Sequence, residues 1–170
     1  KALSESATLA MAVKARELQA KGHHVIKLNL GEPDFTTPTH IKEAAKKAID
    51  DNFTFYPPVA GFLDLKDAIC HKLKRDNQLE YTPTQIVVST GAKQSIANVL
   101  LSTINKGDEV IIFTPYWVTY IEQVKMAEGV PVVLKGAIED DFKVTANALK
   151  NAITSKTKAV LFSSPCNPTG

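Results

Sequence analysis

Hydrophobic positions along the chain recur with two periods. From His40 onward, Ile41, Ala44, Ala45, Ala48 and Ile49 fall at i, i+3, i+4, i+7 and i+8, the spacing of one helix face, with Thr39 placed to cap it. An aromatic and proline-rich break, Phe53-Thr54-Phe55-Tyr56-Pro57-Pro58-Val59-Ala60-Gly61, precedes a second helix marked by Phe62, Leu65, Ile69 and Leu73. Residues 4–21 also read as helix, with Ser4 and Ser6 as N-caps, Leu9, Val13 and Leu18 near one stripe, and Gly22 as the stop. That stripe is only modestly apolar, which suits a helix lying across another part of an assembly.

The second period belongs to strands. Residues 25–30 alternate and run into a polar loop, Gly31-Glu32-Pro33-Asp34-Phe35-Thr36-Thr37-Pro38, so they read as a short strand. Ile86-Val87-Val88 is β-branched, breaks at Gly91, and gives way to Ile96, Val99, Leu100 and Ile104 at helical spacing, which reads as strand, tight turn, helix. Residues 109–113, 130–134 and 159–162 are short apolar runs of the kind found in parallel strands covered on both faces. Between them lie a helix marked by Ile121 and Val124, and another with Thr145 as cap and Leu149, Ala152 and Ile153 inward. The alternation predicts an α/β fold, a mostly parallel sheet with helices on both faces, preceded by an N-terminal helical and extended segment.

Three loops then fall at strand C-termini, where ligands of such sheets collect: residues 89–94, 114–117 and 163–170. The first opens a helix straight after a glycine turn, so unpaired N–H groups and the positive end of the helix dipole make a seat for a phosphate, with Ser89, Thr90 and Ser95 as nearby hydroxyl donors. It is neither G-x-x-x-x-G-K-[ST] nor G-x-G-x-x-G, so the nucleotide readings lose their support. A Ser-Gly turn between strand and helix also serves geometry alone. Taken by themselves, Tyr56 on its proline-rich loop and Trp117 at a strand end read more readily as packing residues than as ligand contacts, and Asn167 in Asn-Pro-Thr-Gly as a turn former.

Composition narrows the chemistry. The chain has 170 residues, 44% hydrophobic and 22% charged, enough for an ordinary core. Its 20 basic and 18 acidic residues are scattered without blocks, so neither nucleic acid nor an anionic membrane is an expected partner. Arg16 and Arg75 are the only arginines, so a guanidinium that grips a substrate carboxylate is expected to lie elsewhere. Cys70 and Cys166 stand far apart and the four histidines lack ligand spacing, so no metal site is expected and a reduced, cytoplasmic setting fits. No signal peptide or membrane-spanning run is read, although the chain does not begin with Met.

Together the motifs resemble the fold type I pyridoxal-phosphate aminotransferases, most closely the bacterial aspartate aminotransferases. The resemblance covers nearly the whole chain, from Ser6-Ala7-Thr8 through Leu30-Gly31-Glu32-Pro33-Asp34-Phe35, Tyr56-Pro57-Pro58-Val59-Ala60-Gly61, Gly91-Ala92-Lys93-Gln94 and Thr114-Pro115-Tyr116-Trp117 to Ser164-Pro165-Cys166-Asn167-Pro168-Thr169-Gly170. It implies that residues 1–38 are an N-terminal segment of the small domain or arm, and 39–170 the first part of the large cofactor-binding domain. It implies pyridoxal 5′-phosphate as cofactor, its phosphate held by the backbone amides of Gly91, Ala92 and Lys93, its ring stacked on Trp117, and its phenolic oxygen bonded by Asn167. The ammonium of Lys93 is a second way for that residue to meet the phosphate; the backbone role is favoured.

Gly31, with Trp117 and Asn167, is implied in substrate binding, the glycine letting the backbone approach the α-carboxylate. Tyr56 is implied to reach the phosphate of the cofactor in a neighbouring subunit, which makes a two-fold homodimer the working form. Cys166 reads as a small packing residue. The substrates implied are an amino acid, aspartate foremost, and a 2-oxo acid such as 2-oxoglutarate. The family's Schiff-base lysine, its aspartate at the ring nitrogen and its carboxylate-binding arginine follow Asn-Pro-Thr-Gly, and Ser155-Lys156 lacks the lysine's context. The chain is therefore expected to be a fragment, inactive alone. The rival readings are a fold type I aminotransferase for aromatic amino acids or kynurenine, an enzyme acting on an aminocyclopropane precursor, and a transaminase-like module that binds without catalysis.

Overall fold

The computed structural model describes Ser4 and residues 7–170; Ser6, expected as a cap and as the start of the first motif, lies outside the described residues. The chain divides into two compact units, one built from the chain up to Glu32 together with residues 96–170, the other from residues 33–95.

The first unit holds a three-stranded, wholly parallel sheet. Strand β1 (Glu109–Thr114) lies between β2 (Val130–Lys135) and β3 (Thr157–Leu161), giving the order β2-β1-β3. Helix α5 (Thr119–Met126) links β1 to β2 and α6 (Ala146–Ala152) links β2 to β3, the crossover that parallel pairing requires. Because side chains alternate across a strand, Val110 and Ile112 face one side and Ile111 the other; all three have no exposed surface, so β1 is covered on both faces. On the Val110 and Ile112 side the core gathers Leu100 of α4 (Ala92–Thr103) and Ile104 just beyond it, Tyr120 and Val124 of α5, and Ala127. Thr145 caps α6 as the sequence predicts, its hydroxyl accepting from the Ala148 N–H at 3.1 Å. Helix α1 (Ala7–Ala20) buries only Ala15, in keeping with its weak apolar stripe.

The second unit carries α2 (Thr39–Asp50), α3 (Leu63–Asn77), a short 3-10 turn at Pro83–Gln85, and the extended residues that lead to α4. Cys70 of α3 is its buried side chain, and Phe53 and Phe62 meet edge to face with centroids 5.8 Å apart. Thr39 begins α2 instead of capping it: Pro38 occupies the cap position, and its carbonyl accepts from the Ile41 and Lys42 N–H groups. The apolar stripe of α2 forms as the spacing predicts, yet Ile41 and Ile49 stay exposed and no residue of the helix is buried.

Two predicted strands are absent. Residues 25–30 and 86–88 are extended but enter no ladder among the described residues. A strand exists by pairing, and among the described residues the backbone bond from residues 86–88 to a distant segment is the Val88 N–H to the Ala60 carbonyl, 3.1 Å. In residues 25–30 the apolar set of the alternation, Ile26, Leu28 and Leu30, faces solvent.

Candidate functional site

Within the sheet-bearing unit, the chain leaves β1 through Pro115-Tyr116-Trp117 and leaves β3 through residues 162–170, so both loops rise from the C-terminal edge of paired parallel strands. One contact ties them: the Cys166 thiol donates to the Pro115 carbonyl, with the sulfur 3.2 Å from the oxygen. The second loop is folded on itself, the Asn167 N–H donating to the Ser163 hydroxyl at 3.0 Å and the Gly170 N–H to the Cys166 carbonyl at 2.7 Å. A cleft of about 460 Å³ is lined by residues of both loops and the strand ends, among them Phe113, Tyr116, Tyr120, Phe142, Phe162 and Cys166. Phe113 and Phe162 stack across the two strands at 5.5 Å. Trp117 is half-buried, and its indole meets the Tyr120 ring at right angles, centroids 5.7 Å apart.

The glycine turn lies in the other unit. Gly91 has φ +81°, a conformation that disfavours any side chain, and α4 starts at the next residue. The Gly91 carbonyl accepts from the Gln94 and Ser95 N–H groups at 3.1 and 3.2 Å, which makes it the cap. The N–H groups of Ala92 and Lys93 therefore stand in the first helical turn, at the positive end of the helix dipole. The Gly91 N–H is turned inward to the Ser89 carbonyl at 2.9 Å, and the Ser95 hydroxyl bends back to the Gly91 carbonyl at 3.5 Å instead of facing outward. No acidic residue lies in the first turn of α4, and a Cβ placed on Gly91 would meet nothing within 4 Å. Two helix-start amides, a neighbouring ammonium and open space are a donor set that fits a phosphate ester.

The structure thus brings the loops of Trp117 and Asn167 together in one unit and places Tyr56, Gly91, Ala92 and Lys93 in the other. Tyr56 is fully exposed, and so is the neighbouring Val59. Gly31 sits on exposed, irregular chain, where a Cβ would meet nothing within 4 Å, so neither backbone nor crowding within the described residues demands a glycine there. Sequence reasoning missed two supports. The Gln94 side-chain oxygen accepts from the Thr90 N–H, reaching back over the turn to the residue before the cap. The Cys166 to Pro115 tether joins residues 51 apart, and no local pattern announces it.

A family model described as aminotransferase class I and II matches residues 23–170. The aspartate aminotransferase of Bacillus subtilis (strain 168) is 52% identical over 169 residues, covering 99% of this chain and 43% of the relative. The aspartate/prephenate aminotransferase of Cereibacter sphaeroides is 53% identical over 165 residues, 97% of this chain and 41% of the relative. Among solved structures, the aspartate aminotransferase from Thermus thermophilus with maleate superposes with a TM-score of 0.93 at 42% identity, covering 98% of this chain and 44% of the other. The chain therefore spans less than half the length of the relatives it matches.

Proposed function

The chain belongs to the class I and II aminotransferase family, and from that premise we propose that it is the cofactor-holding part of a pyridoxal-phosphate-dependent transaminase that moves the amino group of aspartate to a 2-oxo acid such as 2-oxoglutarate. The observation that carries this reading is the family match itself, whose span of residues 23–170 takes in the Gly91 turn and the two loops that follow β1 and β3. Bound pyridoxal phosphate supplies the electron sink that lets an amino acid give up its α-proton. In our reading the Ala92 and Lys93 amides bind the phosphate, with Gly91 supplying the turn that aims them. Trp117 lays its indole on the pyridine face, and the Asn167 side-chain N–H donates to the phenolic oxygen, favouring its ionised form.

Gly31 leaves room for the backbone to meet the substrate α-carboxylate, with Trp117 and Asn167 beside it. The full exposure of Tyr56 suits a side chain offered to the phosphate in a neighbouring subunit, hence a homodimer. We keep residues 1–38 as the N-terminal arm and 39–170 as the first part of the cofactor-binding domain. In our reading the lysine, the ring-nitrogen aspartate and the arginine of the reaction lie outside these 170 residues, so the chain by itself is proposed to be inactive.

The test is transamination by the full-length protein carrying this chain, with aspartate as donor and a panel of 2-oxo acids. Oxaloacetate formation from aspartate is the expected result, and Asn167→Ala should lower kcat/KM by roughly tenfold to a hundredfold, the worth of a hydrogen bond to a charged oxygen. Retained cofactor affinity and rate in both Trp117→Leu and Asn167→Ala would remove these residues from the site. Prephenate belongs in the panel, because a relative 53% identical carries it in its name.

A further inference from the structure

Trp117 is asked to present a flat face to a cofactor, yet it stands on a loop, where an indole has two free side-chain torsions and several rotamers to sample. The structure removes that freedom from one side. Tyr120, only 5% exposed, is fixed in the core beside Leu100, Ile104, Val110, Ile112 and Val124, and Trp117 packs against that cluster. The two rings stand at 89° with centroids 5.7 Å apart, an edge-to-face pair. The backbone reinforces it: the Tyr120 N–H donates to the Trp117 carbonyl at 3.0 Å, closing the turn that starts α5 and fixing the spacing of the two residues.

We propose that Tyr120 is a positioning residue, a buried ring that holds the Trp117 indole in its cofactor-facing plane before the cofactor arrives. The proposal rests on the reading above that Trp117 stacks on the cofactor ring. A stacking partner already ordered in the empty protein loses little freedom on binding, so order in the indole converts directly into cofactor affinity. Tyr120 does this through its ring and not its hydroxyl, and it touches the cofactor only through Trp117.

The experiment uses the full-length protein carrying this chain, cofactor-free and loaded, with the indole of Trp117 labelled with ¹⁵N and its signal assigned by its loss in Trp117→Phe. The indole N–H order parameter in the cofactor-free protein should match that of the surrounding backbone. Tyr120→Leu should lower it and weaken pyridoxal phosphate binding by roughly threefold to tenfold, the worth of one aromatic pair, whereas Tyr120→Phe should leave the order unchanged. Tyr120→Met, which fills a similar volume without an aromatic edge, replaces Leu if the smaller side chain unfolds the protein. A mobile indole in the unsubstituted cofactor-free protein overturns the proposal, as does an indole unchanged by loss of the Tyr120 ring. An ordered indole combined with normal cofactor affinity in Trp117→Leu would instead remove the stacking role and leave the ring contact standing, so the two failures can be told apart.

Discussion

Two stretches of this chain look alike on paper and differ in the structure. Glu109-Val110-Ile111-Ile112-Phe113-Thr114 and Ile86-Val87-Val88-Ser89-Thr90-Gly91 each put a β-branched run ahead of a turn and a helix. The first becomes the central strand of the sheet, paired on both sides and stripped of water over three successive residues. The second stays extended, with one backbone bond to Ala60 and Val87 67% exposed. β-branched side chains favour an extended backbone in both; neighbours decide which becomes a strand. The comparison also separates architecture from chemistry, since the unpaired stretch delivers the helix start that fits a phosphate.

Cutting the same kind of side chain from each stretch should have very different effects. Ile111→Ala removes a fully buried side chain from the central strand and should cost about 2–5 kcal/mol, read as a lower urea midpoint at unchanged slope. Val87→Ala, at an exposed position, should stay within about 0.5 kcal/mol. Equal losses at the two sites would mean that residues 86–88 are packed as a strand in solution.

A smaller effect probes the bond from Val88 to Ala60. Gly61 has φ +97°, and a Cβ there would come within 2.6 Å of Val88 Cγ2. Gly61→Ala should therefore combine backbone strain with a clash and cost about 1–3 kcal/mol in the same urea unfolding. The pair Gly61→Ala with Val88→Ala should recover part of that loss, because the smaller side chain vacates the space. No recovery would show that the strain lies in the Gly61 backbone alone.

What was legible in the sequence follows the same division. Local periodicity marked α1 to α6 and the three paired strands, because helix faces and buried parallel strands write their period into neighbouring residues. Residues 25–30 and 86–88 carry an equally good strand pattern, and what they lack, a partner, leaves no trace in the run itself. The stripe of α2 was legible, but not the exposure of Ile41 and Ile49. At the site, the Gly91 turn and helix start could be read from one glycine before an apolar periodic run. The Thr90 to Gln94 bond and the contacts of Cys166 with Pro115 and of Tyr120 with Trp117 required the fold.

The smallest expected effect concerns how the sheet-bearing unit holds Ser4. Glu122, in the first turn of α5, accepts from Lys125 Nζ at 2.9 Å and from the Ser4 N–H at 3.0 Å. These two donors, Lys125 foremost, hold its carboxyl below the ordinary glutamate value. The unfolded chain therefore binds a proton at a higher pH than the folded one, so the contribution is complete above the ordinary glutamate pKa and is lost as pH falls through the depressed one. Glu122→Gln keeps an acceptor and removes the titration, so its stability should fall less steeply than the parent's as pH drops below the ordinary glutamate range. Raised salt should shrink the difference, since the Lys125 ammonium is exposed and screened. Parallel acid limbs for the two proteins, measured by urea unfolding at low ionic strength, would mean that the carboxylate adds nothing to the hold on Ser4 and that packing around Val124 alone fixes α5 to the sheet.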